Sequence, residues 1–313
     1  MDIVELYLGN LIDEIKSSGK EKGAVSQSGS LESEVFRVLT SRRYSHVSRG
    51  KAGKHFQGIQ DAVLKAAKES GPIQFCLDIG GGYHASINRK EGISYDIGLS
   101  EVMLIRQIAC FSDEIKRFYS PGVQFMLFVD NNCANIVNDI PLENTDGYVG
   151  DLRSLIKELD TVDYIEVLPE SELFSIDKYP KVDDNVPESV EDKELENVRR
   201  FLGRACSRRE AAQRAERYKQ VTSFSEEIMA PIVEGSVRLT QRYTENTMCF
   251  RAFPGADQRI QCGQVGLLVG DSVKPLLFTT KNYGDYTPLW EETGSLPMIE
   301  NVLIARDYHE RKR

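Results

Sequence analysis

Several groups of residues in this chain have the types and spacing to do chemistry. His84, Ser86, Asn88, Arg89, Lys90 and Asp96 fall within one stretch of 13 residues. They offer proton donors, proton acceptors and cations directly after an apolar run that ends in three glycines, Gly80, Gly81 and Gly82. Asp130 closes a second apolar run, Val123 to Val129 (VQFMLFV). A carboxylate there can orient an amine or move a proton, and the competing role is to cap a turn with Asn131 and Asn132. Arg238 and Arg242 lie four residues apart in Arg-Leu-Thr-Gln-Arg. In an extended chain that spacing puts both on one face. Two guanidinium groups buried together need an anion or an internal carboxylate, because an unpaired buried charge is costly. Two further basic groups, Arg42 and Arg43 with His46, Arg49, Lys51, Lys54 and His55, and the arginines between 199 and 217, would be solvated faces for most members. A subset converging on phosphate is the functional alternative, for which the forked donors of arginine are suited.

The elements that must position these groups follow from apolar patterning. Ile73 to Ile79 (IQFCLDI), Val123 to Val129 and Tyr164 to Leu168 (YIEVL) read as buried strands. Helices are expected over 3–16, 31–39, 56–70, 99–118, 145–160, 194–220 and 223–233. Strands are expected again at 237–241, 264–269 and 275–279. Strand, helix, strand, helix, strand at this spacing predicts an α/β fold: a Rossmann-like, mostly parallel sheet with crossover helices and additional C-terminal strands. Parallel sheets of this kind bind ligands beyond the carboxyl ends of their strands, where the 84–96 loop and Asp130 fall. Residues 1–30 read as an N-terminal helix and flexible Ser/Gly linker, and 31–313 as a single large α/β domain.

Composition sets the outer limits. The chain has 313 residues, 41% hydrophobic, with 39 Lys and Arg against 48 Asp and Glu for a net charge of −9. That is enough apolar side chain for a substantial core, and it disfavours a globally basic nucleic-acid binder. Neither basic group carries the interleaved aromatics of a stacking platform for single-stranded nucleic acid. No apolar run reaches the ~18–20 residues that span a bilayer. The acids within MDIVELYLGNLIDEIK argue against a signal or transit peptide, so a cytoplasmic protein without membrane contact is expected. Six scattered cysteines without a C-x-x-C pair, and four unclustered histidines, predict buried free thiols and no metal site.

Asp78-Ile-Gly-Gly-Gly82 resembles the first motif of S-adenosylmethionine-dependent methyltransferases, in which a helix opens directly after the glycines. Here Tyr83 to Asp96 has no helical periodicity, so this remains the alternative. The whole order of landmarks is similar instead to the isocyanide (isonitrile) synthase family, which includes enzymes making tyrosine and tryptophan isonitriles and dityrosine-type precursors. Glu34 to Arg43 resembles the family's opening helix with paired arginines, and Pro72 to Phe75 its first strand. Ser86 to Lys90 and Asp96 to Gly98 resemble its Asn-containing loop and Asp-x-Gly turn. Phe111 to Lys116, Tyr119 to Gly122 and Phe128 to Asp130 look like its next helix, stop and strand. Val198 to Leu202, Val237 to Thr240 and Thr287-Pro288 complete the similarity over roughly residues 34–290.

This resemblance implies a metal-free, cofactor-free lyase-type biosynthetic enzyme. The amine of an amino acid would condense with the ketone of ribulose 5-phosphate, and one sugar carbon would remain on nitrogen as the isonitrile. On residue chemistry rather than motif identity, the expected catalytic residues for such a reaction are Asp130, Lys90 and Asp96. Substrate and phosphate would be bound by Arg42, Arg43, His84, Ser86, Asn88, Arg238 and Arg242. Ala85, Ile87, Leu99, Asn131, Arg242 and Trp290 depart from the family pattern. They point to a changed amino acid or changed chemistry, and they keep a non-catalytic binding protein on the same scaffold as a further alternative. The expected partners are small molecules, and the sequence allows a homodimer.

Overall fold

The computed structural model describes residues 12–18, 29–41, 43–45, 52–80, 97, 99–179, 181, 192, 195, 206–240 and 248–250. It also describes the backbone of short strands at 84–85, 93–94, 266–269, 272–275 and 302–304. Five parallel strands form the central sheet: β1 (Ile73–Asp78), β2 (Val123–Val129), β3 (Ile165–Pro169), β4 (Val237–Thr240) and β5 (Met248–Cys249). Their order is β3-β2-β1-β4-β5, all neighbours parallel. The α/β class and the parallel sheet expected from the sequence are therefore present. Of the C-terminal strands, Gly266–Val269 pairs antiparallel with Ser272–Pro275 and parallel with Val302–Ile304 in a separate three-stranded sheet.

Seven α-helices are labelled here: α1 (Leu31–Leu39), α2 (Phe56–Glu69), α3 (Leu99–Lys116), α4 (Asn131–Asn138), α5 (Leu142–Glu158), α6 (Glu170–Leu173) and α7 (Arg208–Ile232). Two boundaries differ from the sequence expectation for a local reason. The expected helices at 194–220 and 223–233 are continuous from 208 in α7, where the Ser207 hydroxyl accepts the backbone N–H of Glu210 at 3.1 Å; Asp192 and Leu195 are helical, and 196–205 lie outside the described residues. Ser-Arg-Arg-Glu is thus a capped start. The segment after Asp130, read as a turn, is the helix α4.

Parallel strands covered on both faces read as nearly continuous apolar runs, and β1 and β2 do. Phe75, Leu77, Phe125, Leu127 and Val129 enter the larger core with residues of α1, α2, α3 and α5. Cys76, Met126 and Phe128 enter a second core with Cys133 and Val137 of α4 and Val221 and Met229 of α7. Phe111 of α3 is the hub of the first. It meets Tyr44, Phe75, Phe125 and Phe250 edge-on at 5.1–5.9 Å, while Phe75 and Phe125 stack at 5.1 Å. Such contacts add about 0.5–1.5 kcal/mol per pair beyond burial. They tie β1, β2, α3 and the residue after β5 into one unit.

Polar bonds hold the periphery. Residues 12–17 are helical and lie against α3, with Ile15 buried and Glu14 taking both forked donors of Arg106 at 2.8 and 2.9 Å. At the outer strand β3, Arg153 of α5 donates to the carbonyl of Val167 at 2.9 Å and forms a two-point ion pair with Glu172. Among the described residues no helix is long and apolar enough to cross a membrane.

Replacing Phe111 with Ala should destabilise the fold by about 3–5 kcal/mol, with Leu costing less, because four aromatic neighbours cannot collapse into the cavity together. Urea denaturation of the two variants checks this; equal, small losses would show that the aromatic hub is not what holds β1 against α3.

Candidate functional site

The chain moves outward from β1 to β2 to β3, then returns to place β4 and β5 on the other side of β1. The strand order reverses between β1 and β4, and in open α/β sheets such a reversal opens a crevice at the carboxyl ends. Asp78 and Thr240, partners in register, are the last residues of the two strands that flank it. Gly80 follows β1 with φ of +77°, a conformation that costs other residues strain. Its N–H donates to Asp78 Oδ1 at 2.8 Å, and its carbonyl accepts the N–H of Asp130 at 3.2 Å. Asp130 Oδ1 lies 3.9 Å from where a Cβ on Gly80 would stand. Two carboxylates therefore flank one glycine turn at the mouth of the crevice.

A third carboxylate lies beneath them. Glu170, first residue of α6, is 0% exposed. Its Oε2 accepts the N–H of Cys133 at 3.0 Å, its Oε1 accepts the Ser225 hydroxyl of α7, and the Tyr179 phenol lies beside it. Burial pushes the Glu170 carboxyl up, against the opposing pull of the Ser225 and Cys133 donors. Burial likewise raises the Cys133 thiol, and the negative charges of Asp130, Glu170 and Asp78 raise it further. Cys76 is pushed up to about 12 by burial. Both thiols are protonated at neutral pH and are not nucleophiles. The same charges make the carboxyl edge a negative environment that favours a cationic ligand.

Asn131 and Asn132, both buried, are structural. Asn131 donates to Asp146 at 3.0 Å and to Ser171 at 2.7 Å, and accepts the Ser171 N–H at 3.0 Å. Asn132 donates to the carbonyl of Phe174 at 3.0 Å. These bonds lock α4 to the start of α6. None of Glu170, Asn131 and Asn132 was singled out from sequence as a site residue.

The other expected site residues are distributed differently. Arg43 is engaged by Glu114 at 2.9 Å, in the last turn of α3 and so toward the amino ends of the strands. The Arg43 carbonyl accepts the side-chain amide of Gln107, so Arg43 is held against α3 at two points. Arg238 was expected to be buried; it is exposed, so the desolvation argument for an anion falls away. It shares the register row and face of Cys76, whose thiol feels its charge. Of the helical arginines, Arg214 donates to the carbonyl of Val137 and to Asp139 at the end of α4, and Arg208 pairs with Asp192. These two serve internal contacts. His84 is described only as backbone, in a two-residue ribbon with Ser94. Arg42, Ser86, Asn88, Lys90, Asp96 and Arg242 lie outside the described residues. Among the described residues no group of His, Cys, Asp and Glu is arranged to hold a metal ion.

Fold and site together define a doubly wound α/β protein with acidic residues gathered at the carboxyl ends of its first three strands. The profile of the pyoverdine/dityrosine biosynthesis protein family matches residues 85–229, a span that holds Asp130 and Glu170. The crystal structure of the PvcA protein from Pseudomonas aeruginosa is similar with a TM-score of 0.62 and 15% identity, over 83% of this chain and 95% of that one. No curated protein sequence matches the chain. The chain is thus a remote match to this family over residues 85–229 and shares the PvcA fold.

Because the native state holds Glu170 with a raised pKa, it binds a proton over a pH range in which the unfolded chain has released it. Stability should therefore fall as pH rises from the ordinary carboxylate range through the elevated folded value. Glu170→Gln should flatten that fall. Urea midpoints across this pH range test it; a parent and variant that run parallel would refute the assignment.

Proposed function

We propose that this chain is an isonitrile synthase-like enzyme that joins the amine of an amino acid to the ketone carbon of ribulose 5-phosphate. The observation that carries this reading is the negative carboxyl edge, where Asp78 and Asp130 flank Gly80. An α-ammonium group is the part of such a substrate pair that this field would attract. Asp130 would hold the amine and accept the proton it loses as it adds to the ketone, a role worth about 10²–10⁴-fold in rate for a positioned base. Lys90 and Asp96 would complete the proton transfers from the loop after β1. Phosphate and carboxylate would be taken by cationic groups bordering the crevice, Arg238 and Arg242 foremost, with His84, Ser86 and Asn88 lining the loop. Loss of phosphate and cleavage of both carbon–carbon bonds to the former ketone carbon would then leave that one sugar carbon on nitrogen.

The methyltransferase alternative is weakened by local geometry. Residues 84–85 and 93–94 pair as a two-stranded antiparallel ribbon, and among the described residues the next helix after Gly80 is α3 from Leu99. A strand at 84–85 thus lies where the helix after a cofactor-binding glycine turn would run.

The test is incubation of the chain with each amino acid and ¹³C-labelled ribulose 5-phosphate. Mass spectrometry should detect a labelled isonitrile, with phosphate release that depends on the amino acid. Asp130→Asn should lower the rate by about 10²-fold or more while the melting temperature changes little. Stabilisation by S-adenosylmethionine with none by ribulose 5-phosphate would overturn the reading.

A further inference from the structure

A helix that begins on an Asp is normally capped by that Asp, whose carboxylate accepts the N–H of the second or third helical residue. α4 does not follow this rule. Asp130 occupies the N-cap position, but its side chain makes no capping hydrogen bond. Its backbone, with φ −82° and ψ 52°, departs from the extended conformation that turns an N-cap side chain back over its helix. The carboxylate lies over Gly80 instead. The amide of Cys133, third in the helix, still has a carboxylate partner, supplied from the end of β3 by Glu170 at 3.0 Å. The other Glu170 oxygen is held by Ser225 of α7, so the cap is anchored from a third element.

We propose that Glu170 is a positioning residue: it caps α4 in place of Asp130 and so leaves the Asp130 carboxylate directed at the Gly80 turn, where a substrate amine would be held. Two acids thereby divide two tasks that one residue cannot perform together. A carboxylate that caps its own helix is committed to the helix amides. One relieved of that bond can face the crevice. The consequence for turnover rests on the reaction proposed above; the exchange of capping roles does not, and its test avoids turnover.

The test is backbone amide hydrogen exchange at Cys133 in the full chain, read as a double-mutant cycle. Asp130→Ala should leave exchange within about threefold of the parent, since Asp130 is not the cap. Glu170→Gln should do the same, because the amide oxygen of Gln still accepts the Cys133 N–H. In Glu170→Ala the Asp130 carboxylate should swing back to the helix, and exchange should rise by less than about tenfold. The double variant, with neither acid, should exchange about tenfold faster still than the product of the single effects. A large rise in Asp130→Ala alone, or effects that simply multiply, would overturn the proposal, since a merely structural Glu170 predicts independence. If Glu170→Ala does not fold, the Asp130→Ala and Glu170→Gln variants decide, and exchange faster than about threefold in either sinks it. A non-additive cycle in a chain that makes no isonitrile would leave the capping exchange standing and remove only the reaction.

Discussion

β1 is hydrogen-bonded along both edges, to β2 and to β4, and covered by helices on both faces. A strand so enclosed can present polar chemistry only where its backbone ladder ends. All five strands of the sheet are parallel, so their carboxyl ends share one edge, and every carboxylate of the candidate site lies there. Asp78 ends β1, Asp130 follows β2, and Glu170 follows β3. The crevice is a consequence of that enclosure. The Phe111 hub serves it indirectly, by fixing β1 and β2 in register with the helix that packs across them.

Burial separates the three acids by role. Asp78 is exposed and turned onto the Gly80 amide, Asp130 is half-buried, and Glu170 is wholly enclosed. A carboxylate without solvent needs donors on both oxygens, and Glu170 has Cys133 on one and Ser225 on the other. Its two oxygens join α4 to α7. The two neighbouring thiols, pushed up chiefly by burial, add volume and polarizability to the core.

Much of this arrangement was legible in sequence because its signals are local. Ile73 to Asp78 and Val123 to Val129 are unbroken apolar runs, and Asp130 stands visibly at the end of one. What sequence did not reveal depends on partners far along the chain. Glu170 in Pro-Glu-Ser-Glu reads as a surface acid, and only Ser225, 55 residues later, makes it a buried one. α4 begins with two asparagines, which favour turns; bonds to Ser171 and Phe174, 40 and 42 residues away, hold them in a helix. Arg43 has its carboxylate partner, Glu114, 71 residues along the chain. Arg238 carried an argument from burial that its place on β4 does not meet.

The contact of Arg153 with β3 bears on how copies of this chain can associate. Tyr164 directs its carbonyl inward to Phe125, so by alternation Val167 directs its own outward, to the side where no strand lies. An unguarded row of such groups is a template on which another chain can add a strand. Arg153 occupies the outward carbonyl and is itself pinned by Glu172. A second copy could extend the sheet through β3 only by displacing a guanidinium from two partners at once. Edge-to-edge growth through that carbonyl is thereby obstructed.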